Sequence, residues 1–168
     1  MNPEKMTTMV KGRPPQHDGA SNQMSDALMY LLDTDVLSEL RKRKCNPAVA
    51  KWFGSVADSG LYLSIVTIAE IEFGIERQRK ADAVFARDLA AWLEVTLRAF
   101  GDRILPVSVN IARRWGRLGA QIGNKDLDLA IAATALEHGL TVVTGNVKHY
   151  RQTQVPLLNP FHGRSTRA

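Results

Sequence analysis

The sequence predicts an α/β sandwich around a mostly parallel central sheet. Three observations carry this. Short apolar runs alternate with longer segments of helical periodicity. The first run, Tyr30-Leu31-Leu32, is wholly apolar and stops at Asp33, as a buried strand does. Capping residues stand at the junctions: Asn46-Pro47 opens a helix, and Gly123 and Gly139 close two others.

Taken in order, Tyr30–Leu32 is strand one and Asp35–Lys42 a short helix with a basic end. The helix opened by Asn46 follows. Leu61–Ser64 is a second strand. Thr67–Arg79 is a helix with Ile68, Ile71 and Ile75 on one face. Asp82–Phe100 is longer and carries Phe85, Leu89, Trp92 and Leu93. Ile104–Val107 is a third strand, Val109–Ile122 a helix, and Asp126–His138 a very apolar helix. Leu140–Val143 is a fourth strand and Pro156–Leu158 a candidate fifth. The three tryptophans lie in helical patterns and read as core. In parallel sheets of this kind, function gathers at the carboxyl ends of strands. Asp33 follows strand one directly, and Thr144, Gly145 and Asn146 follow strand four.

The 168 residues suffice for one domain with tails. Residues 29–161 are expected to form it. Residues 1–28 are polar, hold three prolines and two glycines, and read as a disordered extension. Met24 and Met29 are alternative start sites. Residues 162–168 read as a frayed tail. The single cysteine, Cys45, excludes an internal disulfide or a cysteine-built zinc site and suits a reducing cytoplasm. The longest apolar stretch, Leu129–Leu136, is far short of the roughly twenty residues of a membrane span. The net charge of +5 is compatible with an acidic partner such as RNA. It diagnoses none: the ends supply two of those charges, and the body keeps only +3.

Several chemistries lack their motifs. Gly119 and Gly123 are one residue too close for a P-loop, and Asn124-Lys125-Asp126 follows. No dinucleotide fingerprint follows a strand. The four histidines lack zinc spacing, and no Gly-x-Ser-x-Gly elbow occurs.

Carboxylates remain. Asp33 is, by position alone, first a helix cap. Glu70 lies three residues after Thr67, which reads equally as a capping box or as function. Glu72 and Glu76 read as a solvated face. Asp128 has Ile131, Ala132 and Ala135 as its helical neighbours, and Asp126 suits the cap better. An unpartnered carboxylate on an apolar face costs several kcal/mol, so Asp128 needs a partner, and a metal ion would serve. The layout brings Asp33, Glu70 and Asp128 to one end of the sheet. Two carboxylates about 5 Å apart repel by roughly 3 kcal/mol at an effective dielectric of 20. Three ionised ones therefore call for a cation. Oxygen-only ligation points to Mg²⁺ or Mn²⁺, and such a site suits phosphodiester hydrolysis.

Four stretches now carry a family resemblance: YLLDTDVLSEL at 30–40, LSIVTIAEIEFGIER at 63–77, DLAIAATALEHGLTVVTGN at 128–146 and LLNPF at 157–161. In this order and spacing they resemble the PIN-domain ribonucleases, specifically the VapC-type (FitB-like) toxins of bacterial toxin–antitoxin pairs. The resemblance covers about residues 29–161. It implies a PIN-like α/β/α sandwich, with Asp33, Glu70 and Asp128 as the acidic residues and Asp33 and Asp128 as the usual metal-ligand pair. Thr144 and Asn146 match residues that in relatives help hold the metal water or scissile phosphate. It further implies Mg²⁺-dependent RNase activity, restraint by a cognate VapB-like antitoxin, and a homodimer.

The sequence departs from the family in three places. Asp35 stands where Asn is common, Gly145 where Arg is common, and His149 where an Asp often occurs. The expected mechanism is in-line attack by water, with Glu70 ligating directly or through water and a candidate base. It leaves a 5′-phosphate and a 3′-hydroxyl. The basic runs 41–44 and Arg113-Arg114-Arg117 could track phosphates, though a solvated helix face explains each residue singly. Two rivals stand. Asp33-Thr34-Asp35 resembles the Asp-x-Asp of haloacid-dehalogenase-like phosphatases, but Leu37 stands where Thr or Val is wanted. Alternatively the domain is a degenerate PIN scaffold that only binds antitoxin or RNA.

Overall fold

The computed structural model describes residues 28–56 and 60–162. The expectations for residues 1–27 and 163–168 lie outside that range. Along the chain run β1 (Tyr30–Leu32), α1 (Thr34–Arg41), α2 (Pro47–Ser55), β2 (Leu61–Ser64), α3 (Ile65–Ala81) and α4 (Ala83–Phe100). Then come β3 (Ile104–Leu105), α5 (Val109–Ile122), α6 (Leu127–His138), β4 (Thr141–Val143), α7 (Val147–Tyr150) and β5 (Leu157–Leu158). Among the described residues the five strands form one sheet in the order β3-β2-β1-β4-β5, with every pair parallel. None of their helices is long and apolar enough to cross a membrane.

Strand alternation divides the core between two faces. Tyr30, Leu32, Leu61, Leu63 and Val143 face one layer, with Leu37, Leu40, Ile71, Ile75, Trp92 and Phe100 of α1, α3 and α4. Leu31 and Val142 face the other, with Ala130, Ile131, Ala132 and Ala135 of α6 and Tyr150 of α7. With both faces covered, β1 needs no polar side, and all three of its residues are buried. Helix α6 is buried from Leu129 to Ala135, and its alanines let it lie close to the sheet. Gly139 ends it in the left-handed conformation, φ 65°, which turns the chain into β4. Trp92 is core as expected, while Trp52 and Trp115 are half-buried against it. Phe85 is instead exposed, with the Arg41 guanidinium over its ring at 5.0 Å.

The start of α3 corrects the sequence reading. The cap is Ser64, whose Oγ accepts from the Val66 amide at 3.1 Å. Thr67 is therefore inside the helix, its hydroxyl buried without a partner, and Thr67–Glu70 is no capping box. Glu70 is released for another role. Asp126 does precede α6 but makes no side-chain capping bond.

Sheet order locates the functional end. The chain runs outward from β1 through β2 to β3, then crosses by α5 and α6 to β4 on the other side of β1. The order reverses between β1 and β4, and beyond the carboxyl ends of these strands lies the crevice where such folds bind ligands.

The corrected cap gives a test. Ser64→Ala should cost about 1 kcal/mol in urea unfolding. Thr67→Val, which deletes an unpaired buried hydroxyl, should cost nothing or stabilise. A capping box at Thr67 would reverse the two.

Candidate active site at the sheet switch point

Asp33 leaves β1 at the reversal. Its amide donates to the Val143 carbonyl at 3.0 Å, extending the β1–β4 pairing by one residue. Its side chain is only 5% exposed and accepts from the Thr34 amide at 2.7 Å. It thus fills the cap position of α1, so the structural reading and proximity to the site hold together. The buried Thr144 hydroxyl stands beside Asp33, where it favours the charged carboxylate, and accepts from the Asn146 amide at 2.9 Å. Burial raises the Asp33 carboxyl to about 6; Asp35 and, more weakly, Asp128 add to this, and the Thr144 and Thr34 bonds oppose it.

Glu70 reaches the same end from α3. Glu70 stands nearly two helical turns beyond the cap Ser64, and its carboxylate accepts from the Thr34 hydroxyl. Burial pushes its carboxyl up, the Thr34 bond opposes this, and the negative charges of Asp128 and Asp35 add to the rise.

Asp128 sits in the first turn of α6, where the helix dipole favours a negative charge. Its neighbours Ile131, Ala132 and Ala135 are fully buried, as the sequence implied, but its own side chain is 22% exposed and its carboxylate lies 2.7 Å from His149 Nδ1. Its need for a partner is therefore met within the chain, and Asp128 alone does not demand a metal. Asn146 Nδ2 lies 2.8 Å from the same nitrogen. Nδ1 can accept from Asn146 or donate to Asp128, not both at once.

Three further residues belong here that the sequence reading left out of the candidate set. Asp35 accepts from the Gly145 amide at 2.8 Å, 110 residues away. Thr34 ties Glu70 to α1. Tyr150 is buried under the site; its hydroxyl makes no aligned hydrogen bond, yet it lies close enough to Asp33 for that carboxylate to hold its proton on. Burial is the larger cause of that retention. The apolar run ending in DTD was the available signal for Asp35; nothing local marks Tyr150.

Gly145 answers to packing. A Cβ there would lie 2.8 Å from the Phe161 ring and 2.9 Å from Asp35 Oδ2. No arginine could stand at 145 with these neighbours in place.

The four carboxylates thus surround one end of the sheet. Their coupling is electrostatic. Among the described residues no three Asp, Glu, His or Cys side chains form a ready coordination set. The donor chemistry nonetheless fits a hard divalent cation: oxygens throughout, burial that penalises bare charge, and one buried oxygen, Asp35 Oδ1, without an aligned hydrogen bond.

A stability test follows from Asp33. A carboxyl raised in the folded state binds its proton more tightly there than in the unfolded chain. Stability therefore falls as pH rises from the ordinary value near 3.8 to about 6, then stays level. The cost above that window is roughly 3 kcal/mol. Asp33→Asn should stabilise the protein to urea near neutral pH in EDTA, with most of the gain gone by about pH 4. A gain equal at both pH values would show that the carboxyl is not raised.

Comparison with known proteins agrees with this geometry. A family model described as the PIN domain matches residues 30–154. VapC ribonuclease Y4jK of Sinorhizobium fredii is 34% identical over 140 residues, which span 79% of this chain and 98% of that protein. Toxin FitB of Neisseria gonorrhoeae is 33% identical over 143 residues, 80% of this chain and 99% of that one. In the crystal structure of FitAcB from Neisseria gonorrhoeae, one chain superposes with a TM-score of 0.62 at 29% identity, covering 80% of this chain and 99% of that chain. The all-parallel sheet, the acidic switch point and these matches agree: the chain belongs to the PIN-domain family, among its VapC-type toxins.

Proposed function

We propose that the protein is a divalent-metal-dependent endoribonuclease, acting in the cytoplasm as the toxin of a toxin–antitoxin pair. The observation that carries this reading is the gathering of Asp33, Glu70 and Asp128 at the β1–β4 switch point, from three separate elements. The relatives named VapC ribonuclease and toxin FitB support the substrate class and the biological role. The PIN match leaves the phosphatase reading of Asp33-Thr34-Asp35 without support.

Asp33 and Asp128 would hold Mg²⁺ or Mn²⁺. When bound, the ion supplies Lewis-acid polarisation of the scissile phosphate and lowers the pKa of water. Thr144, directly after β4, stands beside Asp33 and favours its charged form. Glu70, oriented by Thr34 and with its carboxyl raised, is suited to accept the proton of the attacking water. Asn146 directs its amide at His149 and thereby governs how His149 engages Asp128. RNA phosphates would be tracked by Arg113 and Arg117, exposed on α5. Arg41 is stacked on aromatic rings, Lys42 paired with Glu39, and Arg114 with Glu137, so these serve the fold first. The proposed partners are a VapB-like antitoxin that silences the site and a second copy of the chain.

The test is cleavage of structured RNA by the full chain with Mg²⁺ or Mn²⁺ and with EDTA. Cleavage should require the metal and should fall at least about 10³-fold in Asp33→Asn and in Asp128→Asn, a loss of the size that removing one catalytic group causes. Products should carry 5′-phosphates and 3′-hydroxyls. Cyclic phosphate ends would overturn the water attack, since they require the ribose 2′-hydroxyl. No cleavage by folded, antitoxin-free protein would favour the degenerate scaffold.

A further inference from the structure

We propose that Asp35 is a fourth carboxylate of the metal centre, its Oδ2 fixed by the Gly145 amide and its Oδ1 left to bind the cation. This rests on the metal-dependent reading above.

The two oxygens of Asp35 are treated differently by the fold. Oδ2 accepts from the Gly145 amide at 2.8 Å. Oδ1 is buried and makes no aligned hydrogen bond, although the Val36 and Asn146 amides also lie close enough to favour the charged carboxylate. A buried, unpaired carboxylate oxygen costs more than a neutral one, because hydrogen bonds to charged groups are the stronger ones. Holding Gly145 does not explain that cost. An Asn in the same place would accept the same amide bond through its carbonyl, without adding a negative charge to a site that already holds three. A cation repays both the orphaned oxygen and the added charge.

Position agrees. Asp35 lies in the first turn of α1, two residues after Asp33, and is electrostatically coupled to Asp33, Asp128 and Glu70. It lines an open cleft of about 620 Å³ with Ser38, Asn146 and Phe161, so a cation at this carboxylate lies beside space for substrate.

Gly145 supplies the second argument. The Asp35 carboxylate and the Phe161 ring already fill the place where its Cβ would go. The backbone can come within hydrogen-bonding distance of Asp35 only because position 145 has no side chain. Positions 35 and 145 are therefore one device, built across α1 and the segment after β4. An additional carboxylate ligand raises affinity for a hard divalent cation, since such sites are tuned by the number of charged ligands.

The experiment is Mn²⁺ binding to the full chain, read by calorimetry and by the electron paramagnetic resonance signal of free Mn²⁺. Asp35→Asn, Gly145→Ala, their double variant and Asp33→Asn are compared, with circular dichroism melts to show that each is folded. Asp35→Asn should weaken binding about 10-fold or more. Gly145→Ala should do the same, because its methyl group displaces the carboxylate, and the double variant should add little. Binding by Asp35→Asn within about two-fold of the unaltered chain, with Asp33→Asn impaired, would overturn the proposal and leave Asp35 as an acceptor for Gly145. Absence of Mn²⁺ binding in the unaltered chain, together with cleavage indifferent to EDTA, would overturn the metal centre itself.

Discussion

Four carboxylates held at the end of two adjacent parallel strands repel one another and resist burial, and the site's architecture answers that repulsion. Asp33 is nearly buried and has its proton affinity raised to about 6. Each carboxylate has a polar partner brought by another part of the fold: Thr144, just after β4, beside Asp33, Thr34 of α1 for Glu70, the Gly145 amide for Asp35, and His149 of α7 beside Asp128. These bonds stitch α1, α3, α6 and the segment after β4 around a single crevice. A structural protein has no use for such a cluster, because apolar residues of the same size would be more stable there. The cost marks the place as functional.

The fold makes the cluster possible by keeping its own demands elsewhere. Both faces of the sheet are sealed by apolar layers, so the strand ends are the one region where polar groups converge without breaking the core. Because α6 is buried almost all round, Asp128 at its amino end is fixed with little freedom. Because β1 is extended by the Asp33–Val143 bond, Asp33 and Thr144 emerge side by side. The site's geometry thus descends from sheet order and from the continuous apolar character of β1, β4 and α6.

Much of this is legible in the sequence. The apolar run ending in Asp33, the glycine-closed helices and the alternation of strand and helix give the α/β/α sandwich and its functional end, because those signals are local. The misreading at Thr67 is instructive. Ile65 and Val66 are β-branched and apolar, so they look like a continuation of β2, and the helix start shifts two residues late. Ser64 is both the last strand residue and the cap, a double role that periodicity does not separate. Asp128 looked as if it required a metal because its helix face is apolar; His149, 21 residues on, is invisible to that pattern. Asp35 and Gly145 are 110 residues apart, and Tyr150 meets Asp33 only through the packing of α7 under the sheet. Local chemistry is readable from local sequence, whereas contacts closed by topology are not.

The central claim is that these carboxylates are assembled to hold a divalent cation. The direct measurement is the number of protons released when Mn²⁺ binds, obtained by calorimetry in buffers of different ionisation enthalpy. Near pH 6 the Asp33 carboxyl is about half protonated, so binding should release a substantial fraction of a proton. The release should fall toward zero near pH 8. Binding without proton release near pH 6, or no binding at all, would contradict the account.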